Sequence, residues 1–206
     1  MIIVFSGVDG SGKTTLAHNL VNRLKKEKTH AKYVYMGNYF ILTGIVKFIH
    51  YVYRHIKKTP VVRGNPLLGT KEKPMLSKCW LFFSILENLL VYMKLKILSI
   101  LGIVVISDRY FYDRLLGLEY HGYSSKLLSQ MYLKMTPRPT HLFMIDVDEE
   151  VSLQREVKEK HPLEFYKCLR QKYMKLATLL NAKVLDGNMS KEIMLEKVMT
   201  EIKNKP

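Results

Sequence analysis

The chain has 206 residues, 48% of them hydrophobic, with 33 basic against 18 acidic side chains and a formal charge of +15. That length suits one domain with lobes, and the hydrophobic share is ample for a core. Cys79 and Cys168 are far apart and offer no metal-ligand spacing, and the seven histidines form no zinc-type motif, so a disulfide scaffold and a metal cage are both disfavoured.

The first element is the apolar run Ile2–Ser6, read as a strand, with no basic leader or cleavage site expected ahead of it. It runs into Gly7-Val8-Asp9-Gly10-Ser11-Gly12-Lys13-Thr14-Thr15, which fits G-x-x-x-x-G-K-[ST] in the required strand–turn–helix context. The glycines allow successive N–H groups to line the inside of the turn around phosphate oxygens. Lys13 supplies a point charge for the terminal phosphates, and the Thr14 hydroxyl is a ligand for magnesium. A helix over 14–28, with Leu16, Leu20, Val21 and Leu24 on one face, packs on a sheet and aims its positive dipole end at the same place. Nucleoside triphosphate binding follows.

Lys32–Met36 reads as the second strand and 40–56 as a helix. Residues 57–77, with Pro60, Pro66, Pro74, Gly64 and Gly69, read as an irregular connection. The stretch 38–80 carries eight basic residues, Lys47 to Lys78, against Glu72 alone; such a field draws in phosphorylated small molecules, nucleic acid or an acidic surface. A helix over 78–101 follows. Its apolar length is broken by Glu87, Lys94 and Lys96, and the longest uncharged piece, Ile97–Ser107, falls short of the about 20 residues a bilayer demands, so no membrane span is expected.

Ile103–Ser107 is the third strand, and it ends in Asp108-Arg109-Tyr110. An apolar strand ending in a carboxylate brings Asp108 to the edge where the phosphate loop lies, to hold magnesium directly or through water, while Arg109 bridges donor and acceptor phosphates. Helices over 110–118 and 124–135, a strand His141–Ile145, a helix 149–180 broken near Pro162, a strand Lys183–Leu185 and a helix 190–203 capped by Ser190 complete the chain. The alternation predicts an α/β, doubly wound parallel sheet of the P-loop NTPase type.

Taken together, GVDGSGKTT (7–15), LFFS (81–84), SDRYFYD (107–113), YHG (120–122), PTHLFMIDVDEEVSLQR (139–155) and LEFYKCLRQKYMKLA (163–177) resemble the thymidylate kinase family of nucleoside monophosphate kinases over nearly the full length. The resemblance implies a single P-loop kinase domain, 1–206, with a five-stranded parallel sheet, an acceptor-side segment at 38–80 and a lid at 149–162. It implies transfer of the γ-phosphoryl of ATP, with Mg2+, to dTMP, by a cytoplasmic homodimer that acts on small-molecule nucleotides and not on nucleic acid. By the same resemblance Asp9 contacts the acceptor sugar, Phe83 stacks on the acceptor base, Arg109 and Tyr110 serve the acceptor side, and Arg155 opens the lid.

The chain departs from the family at its acceptor end. Met36-Gly37-Asn38-Tyr39 stands where the family has an Arg-Glu-Pro-Gly-Gly-Thr-like segment, three residues are added before Tyr120-His121-Gly122, and Glu87 replaces a base-contacting arginine. An ionised Glu87 only accepts hydrogen bonds, so beside the base it would favour an amino group and make dTMP a poor acceptor; the plainer alternative is a packed helix with Glu87 turned to solvent. Gly10 takes the place where some members carry a loop arginine, so lid charge is expected from Arg155, and more weakly from Lys158 and Lys160. A P-loop kinase for a nucleoside, sugar or lipid-linked acceptor, a non-enzymatic nucleotide switch and a nucleic-acid-binding ATPase are the other readings. No Asn-Lys-x-Asp guanine motif supports the switch.

Overall fold

The computed structural model describes residues 1–37, 74–120, 126–156 and 161–204, with the side chains of 74–84 and of Leu118 outside that description. The helix expected over 40–56, nearly all of the basic acceptor-side segment, and Lys158 and Lys160 lie outside the described residues.

Five parallel strands, β1 (Ile2–Gly7), β2 (Ala31–Tyr35), β3 (Val104–Asp108), β4 (His141–Asp146) and β5 (Lys183–Asp186), form one sheet in the order β2-β3-β1-β4-β5. The described helices are α1 (Lys13–Lys26), α2 (Pro74–Ile100), α3 (Phe111–Tyr120), α4 (Lys126–Met135), α5 (Glu149–Arg155), α6 (Leu163–Leu180) and α7 (Lys191–Asn204). Strand alternation sorts the core into two layers. Ile3 and Phe5 of β1 face α1 and α7 through Leu16, Leu20, Val198 and Ile202. Ile2 and Val4 face α2, α3, α4 and α6 through Val91, Leu95, Leu115, Tyr132 and Tyr173. Both faces are covered, so β1 and β3 are buried along their whole length, as a parallel sheet requires.

The expected strands all form, within about two residues of their expected ends. One boundary differs more: α2 starts at Pro74, inside the segment read as irregular. Proline fits the first helical turn, where its missing N–H is not needed, so a proline-rich reading hides this start.

Three helices hand the chain to the next strand by one device. After α2, Ile103 N–H donates to Leu98 carbonyl at 3.0 Å and Gly102 N–H to Ser99 carbonyl at 3.2 Å, with Gly102 at φ 79. The same pair of bonds follows α1 at Lys28 (φ 59) and α6 at Asn181 (φ 51). This Schellman arrangement satisfies terminal carbonyls and reverses direction within two residues. At the other end of the fold, Ser190 caps α7 as expected, its hydroxyl accepting from Ile193 N–H at 3.3 Å.

Gly102 therefore tests the hand-over from α2 to β3. Open space surrounds its Cα, so an added methyl meets only the left-handed backbone. Gly102→Ala should lower the unfolding free energy by about 1–2 kcal/mol in a denaturant titration, without altering nucleotide binding.

Candidate active site

The sheet register builds the site. Phe5 of β1 pairs with Asp108 of β3, and Arg109 N–H donates to Phe5 carbonyl at 2.9 Å, so the last residues of β3 emerge beside the loop that follows β1. That loop delivers the chain into α1 with Gly12 as N-cap, no side-chain cap and no acidic residue in the first turn. The helix N-terminus thus keeps its N–H groups and positive end for an anion, while Arg23, Lys25 and Lys26 complement the opposite end. Gly10, at φ 82, lies so close to α5 that a Cβ there would stand 2.5 Å from the carbonyl oxygen of Ser152. A side chain is excluded while α5 holds its place, which is the physical reason that an arginine does not stand in this loop.

Lys13 is folded over the loop and only 5% exposed. Its ammonium donates to Val8 carbonyl at 2.7 Å and lies 3.7 Å from Asp9. Burial, then the neighbouring Arg109 charge, pulls its pKa down to about 8, against the smaller opposing influence of Asp9, Asp113 and Asp108.

Asp108 is fully buried. Its Oδ2 accepts from Thr14 Oγ1 at 2.6 Å and from the Tyr33 hydroxyl at 2.9 Å, whereas its Oδ1 is buried with no hydrogen-bond partner. A carboxylate oxygen left so is costly unless a cation or ordered water completes it. Magnesium takes one or two protein oxygens beside substrate phosphates and water, and this hydroxyl–carboxylate pair fits that demand. Among the described residues no group of three or more His, Cys, Asp or Glu side chains converges on one point. Burial and the Asp108 contact push the Tyr33 hydroxyl well above the usual tyrosine range, so it stays a donor.

Arg109 adopts φ 69, a left-handed conformation that L side chains rarely take. The strained turn is held on several sides. Ser107 Oγ donates to Arg109 carbonyl at 2.7 Å, and the guanidinium pairs with Asp9. Just beyond, Asp113 accepts from Tyr110 N–H at 2.8 Å, Ser6 Oγ at 2.8 Å and the Tyr173 hydroxyl at 2.7 Å, tying the start of α3 to β1 and α6. Burial works against the Arg109 charge, but Tyr173, Asp9 and Asp113 outweigh it and raise its pKa.

These groups open onto a cavity of about 1130 Å³. Asp9 through Thr15, Asp108 and Arg109 line it, with Tyr33 and Tyr35 of β2. On the β5 side it is lined by Arg155, Gly187, Met189 and Met194, where Arg155 donates to Gly187 carbonyl at 3.3 Å. Gly7 and Val8 support the loop from behind, outside the lining. Phe83 lies on α2 with its side chain outside the described residues.

Two expected acceptor residues sit elsewhere. Tyr110 is buried, its hydroxyl donating to Pro137 carbonyl at 2.9 Å, and it is not among the lining residues. Glu87 is 2% exposed and neither lines the cavity nor faces solvent: Arg114 donates to its Oε2 at 3.1 Å. That arginine also reaches Asn88, which in turn donates to the Tyr132 hydroxyl at 2.6 Å. A carboxylate so engaged is part of the α2–α3–α4 packing. Sequence reasoning, for its part, passed over Tyr33, Tyr35, Asp113, Tyr173 and Arg170. The last is an α6 side chain that grips Asp146 with two nitrogens and reaches Asp148 and Glu149 at the base of α5. Only Tyr33 and Tyr35 left a usable signal, as alternate residues on one face of β2.

Because burial brings the Lys13 pKa down to about 8 and a bound phosphate favours its charged form, nucleotide binding above that pH should take up a proton. ATP affinity should weaken as pH rises from neutrality past about 8. Calorimetric titrations above that pH in buffers of different ionisation enthalpy should give different apparent binding heats; buffer-independent heats there would refute the assignment.

The geometry is that of a phosphate loop joined to a carboxylate and an arginine at a neighbouring strand end. The family model for thymidylate kinase matches residues 67–198, a stretch that excludes the loop at 7–15 and so supports the reading independently. A probable thymidylate kinase of Sulfurisphaera tokodaii is 26% identical over 202 residues, 96% of this chain and 93% of that protein. A probable thymidylate kinase of Archaeoglobus fulgidus is 26% identical over 164 residues, 75% of this chain and 68% of that protein. With the matched model covering more than half of its length, the chain belongs to the thymidylate kinase family and is an ATP-dependent nucleoside monophosphate kinase.

Proposed function

We propose that this enzyme transfers the γ-phosphoryl group of ATP to dTMP, with magnesium held at Thr14 and Asp108. The observation that carries the reading is the convergence of Lys13, Thr14, Asp108 and Arg109, from two adjacent strand ends, on one cavity. Phosphoryl transfer makes little demand for covalent help from the protein and much for positioning and charge neutralisation. The loop amides and Lys13 hold the β- and γ-phosphates. When bound, magnesium neutralises charge on the same oxygens. Arg109, set by its strained backbone and by Asp9, reaches both the transferred group and the acceptor phosphate. The methionines at 189 and 194 give the β5 side an apolar wall suited to the donor base, and Arg155 closes that end from the lid.

dTMP as acceptor is supported by the family match and by the names of the relatives. The case for an amino-bearing base needs Glu87 at the cavity, whereas Glu87 is 2% exposed and is not among the residues that line it. Acceptor kinetics test the proposal: kcat/KM for dTMP should exceed that for dCMP, AMP and GMP by at least about 10-fold, the equivalent of 1.4 kcal/mol. A preference for dCMP or a purine nucleotide would overturn it, and turnover of thymidine alone would point to a nucleoside kinase.

We also infer a homodimer formed through α2. Leu86, Leu90, Met93, Ile97 and Ile100 are 41% to 74% exposed, and their steps of four and three residues make a seam of the kind that packs helix on helix. A second copy offers the same apolar seam in return. Sedimentation analysis should give a dimer for the wild type and a monomer for Met93→Glu/Ile97→Glu; a folded wild-type monomer would refute the inference.

A further inference from the structure

Tyr33 is the one side chain from β2 that reaches the carboxylate assigned to magnesium among the described residues. Its hydroxyl donates to Asp108 Oδ2 at 2.9 Å, the same oxygen that accepts from Thr14 at 2.6 Å. The Tyr33 ring lies stacked on His18, with centroids 4.1 Å apart and planes 20° from parallel. His18 belongs to α1, the helix that follows the phosphate loop. A single side chain of β2 thus spans the gap between the loop's helix and the end of β3. From these contacts we infer that Tyr33 is a positioning residue for the metal site: together with Thr14 it holds Asp108 Oδ2 in place and so fixes the orientation of the carboxylate beside the phosphate loop.

A carboxylate with one donor can swing about its Cβ–Cγ bond, and a second donor on the same oxygen limits that swing. Residues that orient a metal-holding side chain in this way typically change metal affinity or activity by about 10- to 100-fold when removed. The sheet register keeps the donor where it is needed, because Tyr33 pairs with Ile106, two residues before Asp108 on the neighbouring strand. The stacked histidine fixes the ring from the other side, so the hydroxyl has little freedom to leave.

This inference rests on the proposed magnesium site, and the test separates the two. Tyr33→Phe keeps the ring on His18 and removes only the hydroxyl. Manganese binding to the protein loaded with a non-hydrolysable ATP analogue, followed by electron paramagnetic resonance, reads metal affinity without turnover. Tyr33→Phe should raise the manganese dissociation constant by about 10-fold or more with an unchanged unfolding midpoint, and excess magnesium should restore its kcat. Asp108→Asn is the companion variant and should weaken manganese binding further still. If Tyr33→Phe binds manganese as the wild type does while Asp108→Asn does not, the role given to Tyr33 is wrong and the magnesium site stands. If Asp108→Asn also binds manganese normally, the metal site itself is wrongly placed.

Discussion

The hydrogen bond from Thr14 to Asp108 is the contact on which the rest of the site depends. It joins the first turn of α1 to the last residue of β3, 94 positions apart in the chain, at 2.6 Å. Neither residue could meet the other without the β1–β3 register, since a slip of one residue would turn Asp108 to the opposite face of the sheet. The two-layer core serves that register. Ile2 and Val4 lock β1 against one set of helices while Ile3 and Phe5 lock it against the other, and the helix-ending turns deliver β2, β3 and β5 in line with it.

Around that contact the protein stores charge and strain ahead of any ligand. Two cations, Lys13 and Arg109, are held close together, with Lys13 buried, and both rest on oxygens of the loop itself: Val8 carbonyl and Asp9. Phosphate oxygens can take the place of these contacts without moving the backbone, which is the sense in which such a site is preorganised. The left-handed Arg109 is tolerated because its amide, its carbonyl and its guanidinium are each engaged, and because Asp113 ties down the next turn through three donors. On the lid side, the close approach of Gly10 to Ser152 sets α5 against the loop, and Arg170 fastens its base to α6. Arg155, one turn on from Ser152, is carried to the cavity by that packing.

What could be read in the sequence was what is local. The phosphate loop is nine consecutive residues with a strict pattern, and Asp108-Arg109 follows a strand whose apolar run gives its direction away. Both end up where their spacing said. The acceptor side was harder, because it depends on pairings between distant segments. Glu87 draws notice in the sequence because it stands where the family has a base-contacting arginine, but it is buried against Arg114 of another helix, and nothing near Glu87 in sequence announces that partner. Tyr110 sits inside a motif yet turns its ring into the core, where Phe111 and Tyr112 pack against it. Tyr33 and Arg170 act through carboxylates that lie 75 and 24 residues away, so neither carried a motif.

The central claim is that the Thr14–Asp108 junction makes this cavity a phosphoryl-transfer site. Phosphorus-31 spectra of ATP, magnesium and dTMP incubated with the enzyme report it directly. The account expects the γ-phosphorus signal of ATP to be replaced by the β-phosphorus signals of ADP and dTDP with wild-type protein, and by neither with Asp108→Asn that is folded. Growth of inorganic phosphate in place of dTDP, or equal dTDP formation by the Asp108→Asn variant, would contradict it.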